Sequence, residues 1–487
     1  KVFIMDENRK IFSNLIWRFL ERSGAQFVSF IVSLVLARIL MPEDYGTIAL
    51  ITVFTTILQV FVDSGLGNAL IQKKDADDLD FSTVFFANIV FCTVLYALMF
   101  VAAPAISRFY GDMFMVSYIR VLSLTVLISG IKNVQQAYVS RHMMFKKFFF
   151  STLGGTVLAG IIGIVMALNK MGVWALVAQQ VINMTIDTII LWITVKWKPH
   201  LKFSFSRMKG LFSFGWKLLV SSLIDSIYND LRQLIIGKMY SSADLAYYNK
   251  AKQFPNLIVT NINTSIDSVL LPAMSNVQDN KEHVKSMTRR SIKTSIYVMA
   301  PLMMGMAFAA KPIISLLLTD KWLLCVPFVR IFCITYMFYP IHTANLNAMK
   351  AMGRSDLFLK LEIIKKVFGL VLLLSTMWFG IMAMAYSLLV SSLFGQIINS
   401  WPNRKLLNYG YLEQLKDILP GIGLAVVMGG CIYFVGLFPL PIILILIIQV
   451  VSGALIYITL SAALHLESFE YLLKILKNNF KKIIKKR

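Results

Sequence analysis

The sequence predicts an all-α polytopic membrane protein of about fourteen transmembrane helices, built as two six-helix lobes plus two C-terminal helices. Three observations predict it. The 487 residues are 57% hydrophobic and their mean hydropathy is +0.70, too apolar for a soluble chain. The apolar runs recur along the whole length. The 48 Lys and Arg, against 25 Asp and Glu for a net charge of +23, sit mostly in short segments between those runs. That is a pattern of membrane topology and not of nucleic-acid binding.

A hydrocarbon core of about 30 Å needs roughly 20 apolar residues per helix. This ruler places spans near 12–40, 45–70, 80–106, 113–139, 148–169, 173–196, 211–239, 245–272, 292–318, 323–349, 357–379, 381–401, 418–437 and 440–464. The even-numbered gaps collect the cations: Arg141, Lys146 and Lys147, then Lys196, Lys198, Lys202, Arg207 and Lys209, then Lys281, Lys285, Arg289, Arg290 and Lys293. The odd-numbered gaps hold one or two, such as Arg108, Lys170 or Lys238, and those around Gly380 and Pro439 hold none. Both termini are therefore expected in the cytoplasm. Trp174, Trp322 and Trp378 on the outer ends and Trp197 and Trp401 on the inner ends fit an interfacial belt, although any one of them fits a core equally well. The first apolar run is too long and too charged for a cleavable signal peptide. Cys92, Cys325, Cys333 and Cys431 all fall within apolar runs, with no disulfide framework and no metal-ligand spacing.

Two stretches match at a spacing of 200 residues: LARILMPEDYGTIALI from Leu36 and IGKMYSSADLAYYNKA from Ile236. Arg38 aligns with Lys238, Asp44 with Asp244 and Gly46 with Ala246. A parallel duplication divides the chain into an N-lobe over 1–200 (helices 1–6) and a C-lobe over 201–405 (helices 7–12). Helices 13 and 14 follow over 406–464, and a basic amphipathic cytoplasmic tail occupies 465–487.

Charges inside the spans are the candidate functional residues. Each ionised side chain at mid-bilayer costs about 2.5–3.5 kcal/mol on insertion scales, so such groups face protein or water. In helix 1, Arg18, Glu21 and Arg22 share a helical face. In helix 7, Asp225, Tyr228, Asn229 and Arg232 form a polar stripe, with Lys217 nearer the cytoplasm and Asp230 slightly to the side. Two such stripes on the first helices of two lobes suggest a shared hydrophilic cavity. Asp63, Arg120, Lys132, Asp187, Asp267, Arg330, His342 and Asn345 are further candidates for its wall. The structural alternative is a salt-bridge cluster that locks helix 1 against a neighbour, and for Asp63, Asp267, Lys132 and Arg120 simple snorkelling to an interface.

Helices 13 and 14 contain almost no polar side chain beyond Gln449 and are not expected to line a hydrophilic path; their apolar faces suit packing along a hydrocarbon tail or, equally, padding toward lipid. The tail FEYLLKILKNNFKKIIKKR carries its apolar residues on one helical face and Lys474, Lys477, Lys481 and Lys485 largely off it, which suits an anionic inner leaflet. The acidic DADDLD segment from Asp75 has the side chains to chelate a cation, but a solvated loop is the plainer expectation.

LARILMPEDYGTIALI, DSGLGNALIQ (63–72), IIGKMYSSADLAYYNKAKQFPNLI (235–258), LPAMSNVQD (271–279) and AMGRSDLFLKLEI (351–363) resemble the polysaccharide-transport branch of the multidrug/oligosaccharidyl-lipid/polysaccharide flippase superfamily. O-antigen, colanic-acid and teichuronic-acid flippases belong to that Wzx-type branch. The resemblance runs the full chain in order. It implies a fourteen-helix bundle in the bacterial cytoplasmic membrane that moves an undecaprenyl-pyrophosphate-linked oligosaccharide from the inner to the outer leaflet by alternating access. Its partners would be that cargo, membrane lipids and other polysaccharide assembly proteins.

A diphosphate suits guanidinium groups, which grip phosphate oxygens bidentately. On this view Arg18, Arg22 and Arg232 engage the pyrophosphate, while Glu21, Asp225 and Asp230 preorganise them or couple an ion. No GxxxxGK[ST] loop occurs, so an ion gradient, with H+ or Na+ as coupling ion, or the membrane potential supplies the drive; no cofactor and no resident metal are expected. The rival readings are an ion-coupled drug or cation antiporter of the same superfamily, a lipid II flippase relative and a membrane-embedded enzyme of glycan assembly. The short outer loops argue against the enzyme.

Overall fold

The computed structural model describes residue 17 and residues 24–63 and 66–484. Among them every regular element is helical. In chain order they are α1 (Gly24–Ile39), then α2 (Pro42–Asp63), α3 (Leu66–Gln72), α4 (Asp78–Tyr110), α5 (Met115–Leu122), α6 (Leu124–Arg141), α7 (Phe145–Leu168), α8 (Val173–Thr194), α9 (Phe205–Met239) and α10 (Ser242–Ser275). There follow α11 (Lys281–Phe308), α12 (Ala310–Leu318), a 3-10 turn (Asp320–Cys325), α13 (Val326–Met337), α14 (Tyr339–Ala351), α15 (Ser355–Thr376), α16 (Ile381–Leu406), α17 (Tyr411–Val435), α18 (Ile442–Ala463) and α19 (Glu467–Ile484).

Among the described residues, ten helical segments are long and apolar enough to cross a membrane, or twelve when two bent pairs each count as one span. Those pairs are the two halves of α9, bent by 48°, and α11 with α12, bent by 70°. The expected fourteen is not reached by this measure. α15 lies where the eleventh span was placed, but it carries Asp356, Lys360, Glu362, Lys365 and Lys366. α1, in the first position, is a shorter apolar helix over the described residues.

Local chemistry explains the breaks. Asp77 caps α4 by accepting the Asp80 backbone N–H, and the Asp80 carboxylate accepts the Asp77 N–H in return, a reciprocal capping box. The other end of α4 stops at Gly111, whose φ of +79° is the left-handed conformation glycine adopts without strain. The DADDLD segment is thus a helix start, with Lys73 and Arg207 on its carboxylates.

The 200-residue repeat is visible in the backbone. α1 ends at Ile39 and α9 at Met239; α2 begins at Pro42 and α10 at Ser242. Asp44 accepts the Met41 N–H at 3.1 Å, and Asp244 accepts the Ser241 N–H at 3.2 Å. The two turns also pack on each other. A Cβ on Gly46 would lie 1.7 Å from the Ser242 carbonyl oxygen, and one on Gly237 would lie 2.0 Å from Leu50 Cδ2, so both close approaches need glycine.

The chain separates into two compact units, 1–246 and 247–487. α9 belongs to the first, packed on α2, α3 and α4, so the division falls after the basic segment at 196–209. That segment is bound to α4 and α6. Trp197 donates through Nε1 to Asp78 (3.1 Å) and accepts at its carbonyl from Gln135 (3.1 Å); the His200 and Ser204 amides donate to Ser82 Oγ and Thr83 Oγ1. Trp197 is buried among Phe81, Phe85 and Tyr138. It serves the core and not a belt, as does the fully buried Trp322, whereas Trp378 and Trp401 are exposed.

The second unit has a polar knot in its core. Asn345 on α14 accepts from Asn403 (2.7 Å) and Gln414 (2.9 Å) and donates to Gln414 (2.9 Å), which ties α14, α16 and α17 together. α17 and α18 lean on α11 and on each other: Tyr457 donates to the Tyr297 carbonyl (2.9 Å), and Gln449 donates to the Ile432 carbonyl (2.9 Å). α19 forms where the amphipathic tail was expected and is held to α11 by Lys293–Glu467 and by Arg290 over the Tyr471 ring at 4.9 Å.

Candidate functional site

The first unit carries an open polar cavity of about 470 Å³. α2 contributes Asp63; α3 contributes Gly67, Asn68 and Ile71; α6 contributes Lys132, Asn133, Gln136, Ala137 and Ser140; α7 contributes Phe148 and Thr152; α8 contributes Asp187. α6 supplies the polar face because Ser129, Lys132, Asn133, Gln136 and Ser140 recur at i, i+3, i+4, i+7 and i+11. α3 sits directly on this face at Gly67, where a Cβ would come within 2.4 Å of Asn133 Oδ1.

Lys132 and Asp187 form a buried ion pair, with Nζ 2.5 Å from Oδ2. Asp187 Oδ1 is buried without a hydrogen-bond partner. A second polar chain runs beside the pair: Asn88 donates to Asn133 Oδ1 (3.3 Å), and Asn133 donates to Asp63 Oδ1 (3.4 Å). The lining groups thus comprise two carboxylates, one ammonium and several amide and hydroxyl groups. Such a set offers many acceptors and donors to a neutral polyol, and little net positive charge to an anion.

A second, apolar pocket of about 610 Å³ lies between α2, α3, α4 and α9. Phe61, Leu66, Phe86, Phe91, Val94, Phe212, Trp216 and Leu219 are among its walls, and Asn88 is its polar member.

The residues named from sequence distribute as follows. Lys132, Asp63 and Asp187 come together at the cavity. Arg18, Glu21 and Arg22 lie outside the described residues; the neighbouring Trp17 ring lies 5.3 Å from Phe149, with Lys146 5.5 Å above it. On α9, Lys217 and Asp225 are exposed, while Asp230 is half-buried and accepts from Gln233 at 2.9 Å. Asp225 and Arg232 are also engaged in interactions and are not free charges. Arg120 is not at the cavity: its guanidinium lies 3.9 Å over the Phe100 ring and donates to the Phe100 carbonyl. Arg330, in the second unit, donates to the Ala307 carbonyl at 3.3 Å. His342 meets Asn399 at 3.1 Å, and Asn345 is spent on the knot with Asn403 and Gln414. Asp267 is exposed on α10. No group of three or more His, Cys, Asp or Glu able to hold a metal occurs among the described residues.

The sequence profile of the family described as "Polysaccharide biosynthesis protein" matches residues 35–327, a stretch that includes every residue lining both pockets. The chain belongs to the polysaccharide biosynthesis protein family. Within it, the chain falls in the polysaccharide-flippase branch that its motifs resemble, among multi-pass membrane transporters. It is similar to the Teichuronic acid biosynthesis protein TuaB of Bacillus subtilis (strain 168), 25% identical over 414 residues, which are 83% of this chain and 86% of the relative. It is similar also to the Lipopolysaccharide biosynthesis protein WzxC of Escherichia coli (strain K12), 22% identical over 376 residues, 75% of this chain and 74% of the relative. Among solved structures, the Lipid II flippase MurJ in an inward-closed conformation matches with a TM-score of 0.76 at 15% identity, covering 92% of this chain and 99% of that one. That likeness is one of fold.

Sequence reasoning passed over most of this family member's cavity. Asn68, Asn133, Gln136, Ser140 and Thr152 were not singled out, because uncharged polar residues are frequent in membrane helices. The signal that finds Asn133, Gln136 and Ser140 is the helical spacing of five polar residues on α6; Asn68 on α3 and Thr152 on α7 lie outside it.

Proposed function

We propose that the protein is a flippase for an undecaprenyl-pyrophosphate-linked oligosaccharide, which it carries from the inner to the outer leaflet of the cytoplasmic membrane for cell-surface polysaccharide biosynthesis. The observation that supports this best is the polar cavity sunk into a membrane-spanning unit of a polysaccharide biosynthesis family member. A glycan loses its water on entering hydrocarbon, and each hydroxyl left without a partner costs a few kcal/mol. The Asp63, Asn68, Asn133, Gln136 and Asp187 side chains can replace that water. With two carboxylates to one ammonium, the cavity suits the sugar and not the diphosphate.

For the diphosphate we retain Arg18, Arg22, Arg232 and Lys217 as the cationic grip. Glu21, Asp225 and Asp230 then orient the cations when cargo is absent, or bind the coupling ion, H+ or Na+. Arg120 and Arg330, each turned to a neighbouring carbonyl, fit snorkelling better than cargo contact. The cycle is alternating access with both termini cytoplasmic. It breaks no covalent bond in the cargo, so the protein is a transporter and not an enzyme.

Deleting the gene should make one undecaprenyl-linked oligosaccharide accumulate on the cytoplasmic leaflet. Arg18→Ala or Arg22→Ala should abolish glycan export while the protein stays in the membrane. Normal export by both variants would reject the diphosphate assignment, and no accumulated intermediate would reject the function.

A further inference from the structure

We propose that the apolar pocket between α4 and α9 holds the isoprenoid chain of the lipid-linked cargo as it enters from the inner leaflet, with its phosphate end beside Lys209 before the diphosphate passes to the Arg18, Arg22, Arg232 and Lys217 grip. The proposal rests on the flippase reading above and adds where the lipid half of the cargo lies.

Three observations carry it. First, the apolar and polar pockets share a wall. Asn88 lines the apolar one and donates to Asn133, which lines the polar one; Leu66 and Gly67, successive residues of α3, line one pocket each. An amphiphile with a sugar at one end and a hydrocarbon at the other needs contiguous polar and apolar compartments, and this wall provides them. Second, the pocket is open at its rim. Val90 is 65% exposed and Val94 is 51% exposed, and both stand on α4, a helix long and apolar enough to cross the membrane. A chain can enter sideways from the hydrocarbon without crossing a polar barrier. Third, the α9 wall carries a cation in register. Phe205, Met208, Phe212, Trp216 and Leu219 line the pocket at i, i+3, i+7, i+11 and i+14, and Lys209 falls at i+4 of the same stripe, exposed. Asp77 and Asp80 at the start of α4 are paired with Arg207 and Lys73, and no ion pair to Lys209 occurs among the described residues.

Aromatic walls also offer broad packing surface to a methyl-branched chain. A protein groove competes with lipid for a hydrocarbon only through close packing, because the bilayer already removes the chain from water.

The test uses the full-length protein in vesicles of neutral phosphatidylethanolamine, with a diazirine-bearing isoprenoid diphosphate as photoprobe and adducts mapped by peptide mass spectrometry. Saturable adducts are expected on the α4 peptide around Val90–Val94 and on the α9 peptide around Phe212–Trp216. Undecaprenyl diphosphate should compete with them, and phosphatidylglycerol should not. Val94→Trp, at a half-exposed position, should cut the yield about tenfold by filling the pocket. Lys209→Ala should erase a preference of about fivefold for undecaprenyl diphosphate over undecaprenol. Equal competition by phosphatidylglycerol would overturn the proposal in favour of ordinary membrane lipid. Saturable adducts confined to other helices, such as α17 and α18, would overturn it while leaving the flippase function standing. No saturable adduct anywhere on the protein would overturn both.

Discussion

Lys132→Met should be among the most damaging single substitutions in the first unit, and Asp187→Leu made with it should repair most of the damage. The Lys132 ammonium lies 2.5 Å from Asp187, and the two side chains are 11% and 9% exposed. Removing one member of a buried pair leaves an uncompensated charge and typically costs about 3–5 kcal/mol. Here the upper half of that range applies, because Asp187 Oδ1 already lacks a partner and Lys132→Met would strip Oδ2 as well. Replacing both by apolar side chains of similar volume removes both desolvation penalties, so the double variant should return to within about 1 kcal/mol of the original. The coupling between the sites is then about 3 kcal/mol or more. Reversible unfolding in mixed micelles gives the stabilities, and surface glycan gives transport. The double variant should be stable and still fail to export, because the cavity has lost its charged lining. A Lys132→Met variant as stable as the original would refute the reasoning, as would a double variant whose loss equals the sum of the singles.

Four further outcomes are expected. Gly46→Ala would force a Cβ to 1.7 Å from the Ser242 carbonyl oxygen, which no rotamer change relieves, so it should cost about 1–3 kcal/mol in the same unfolding assay. Gly423→Ala, with nothing within 4 Å of the new Cβ, should be neutral or slightly stabilising. Gln414→Leu removes two of the bonds to Asn345 and should cost about 1–3 kcal/mol, with hydrogen exchange quickening where α14, α16 and α17 meet. At the start of α4, the Asp80 backbone N–H and then the Arg207 guanidinium hold the Asp77 carboxyl below the usual carboxylate range. A lowered pKa in the folded state adds stability above the unfolded value of about 3.9, and that stability is lost as pH falls through the folded value. The gap between the original and Asp77→Ala should therefore be steady above about pH 5 and close on acidification below about pH 4.

Much of the architecture was legible because its causes are local. A span announces itself by length and hydropathy, and the turns after α1 and α9 by Asp44 and Asp244, which act on backbone groups three residues away. The amphipathic tail was legible for the same reason: periodicity and helix geometry are properties of one segment. The candidate site was legible only in pieces. Asp63, Lys132 and Asp187 were each suspect as charges in apolar runs, yet nothing in the order of residues pairs Lys132 with a partner 55 positions on, or aims Asn133 at Asp63. Asn345 and His342 had the same credentials as cavity residues, but Asn345 closes a structural knot and His342 meets Asn399. Arg120 and Arg330 turned to carbonyl groups of neighbouring helices, and Trp197 and Trp322 went to the core.

By itself, then, the order of residues determined that this chain crosses the membrane many times, roughly where most of its spans lie, and which family it joins. Hydrophobic transfer, capping and charge placement act within a segment and need no knowledge of its neighbours. Only the tertiary structure decided which buried charges meet and that a polar cavity and an apolar pocket adjoin through the Asn88–Asn133 hydrogen bond. Those outcomes depend on how side chains from distant helices interlock, and the close approaches at Gly46, Gly67 and Gly237 that set the interlocking exist only once the helices are side by side.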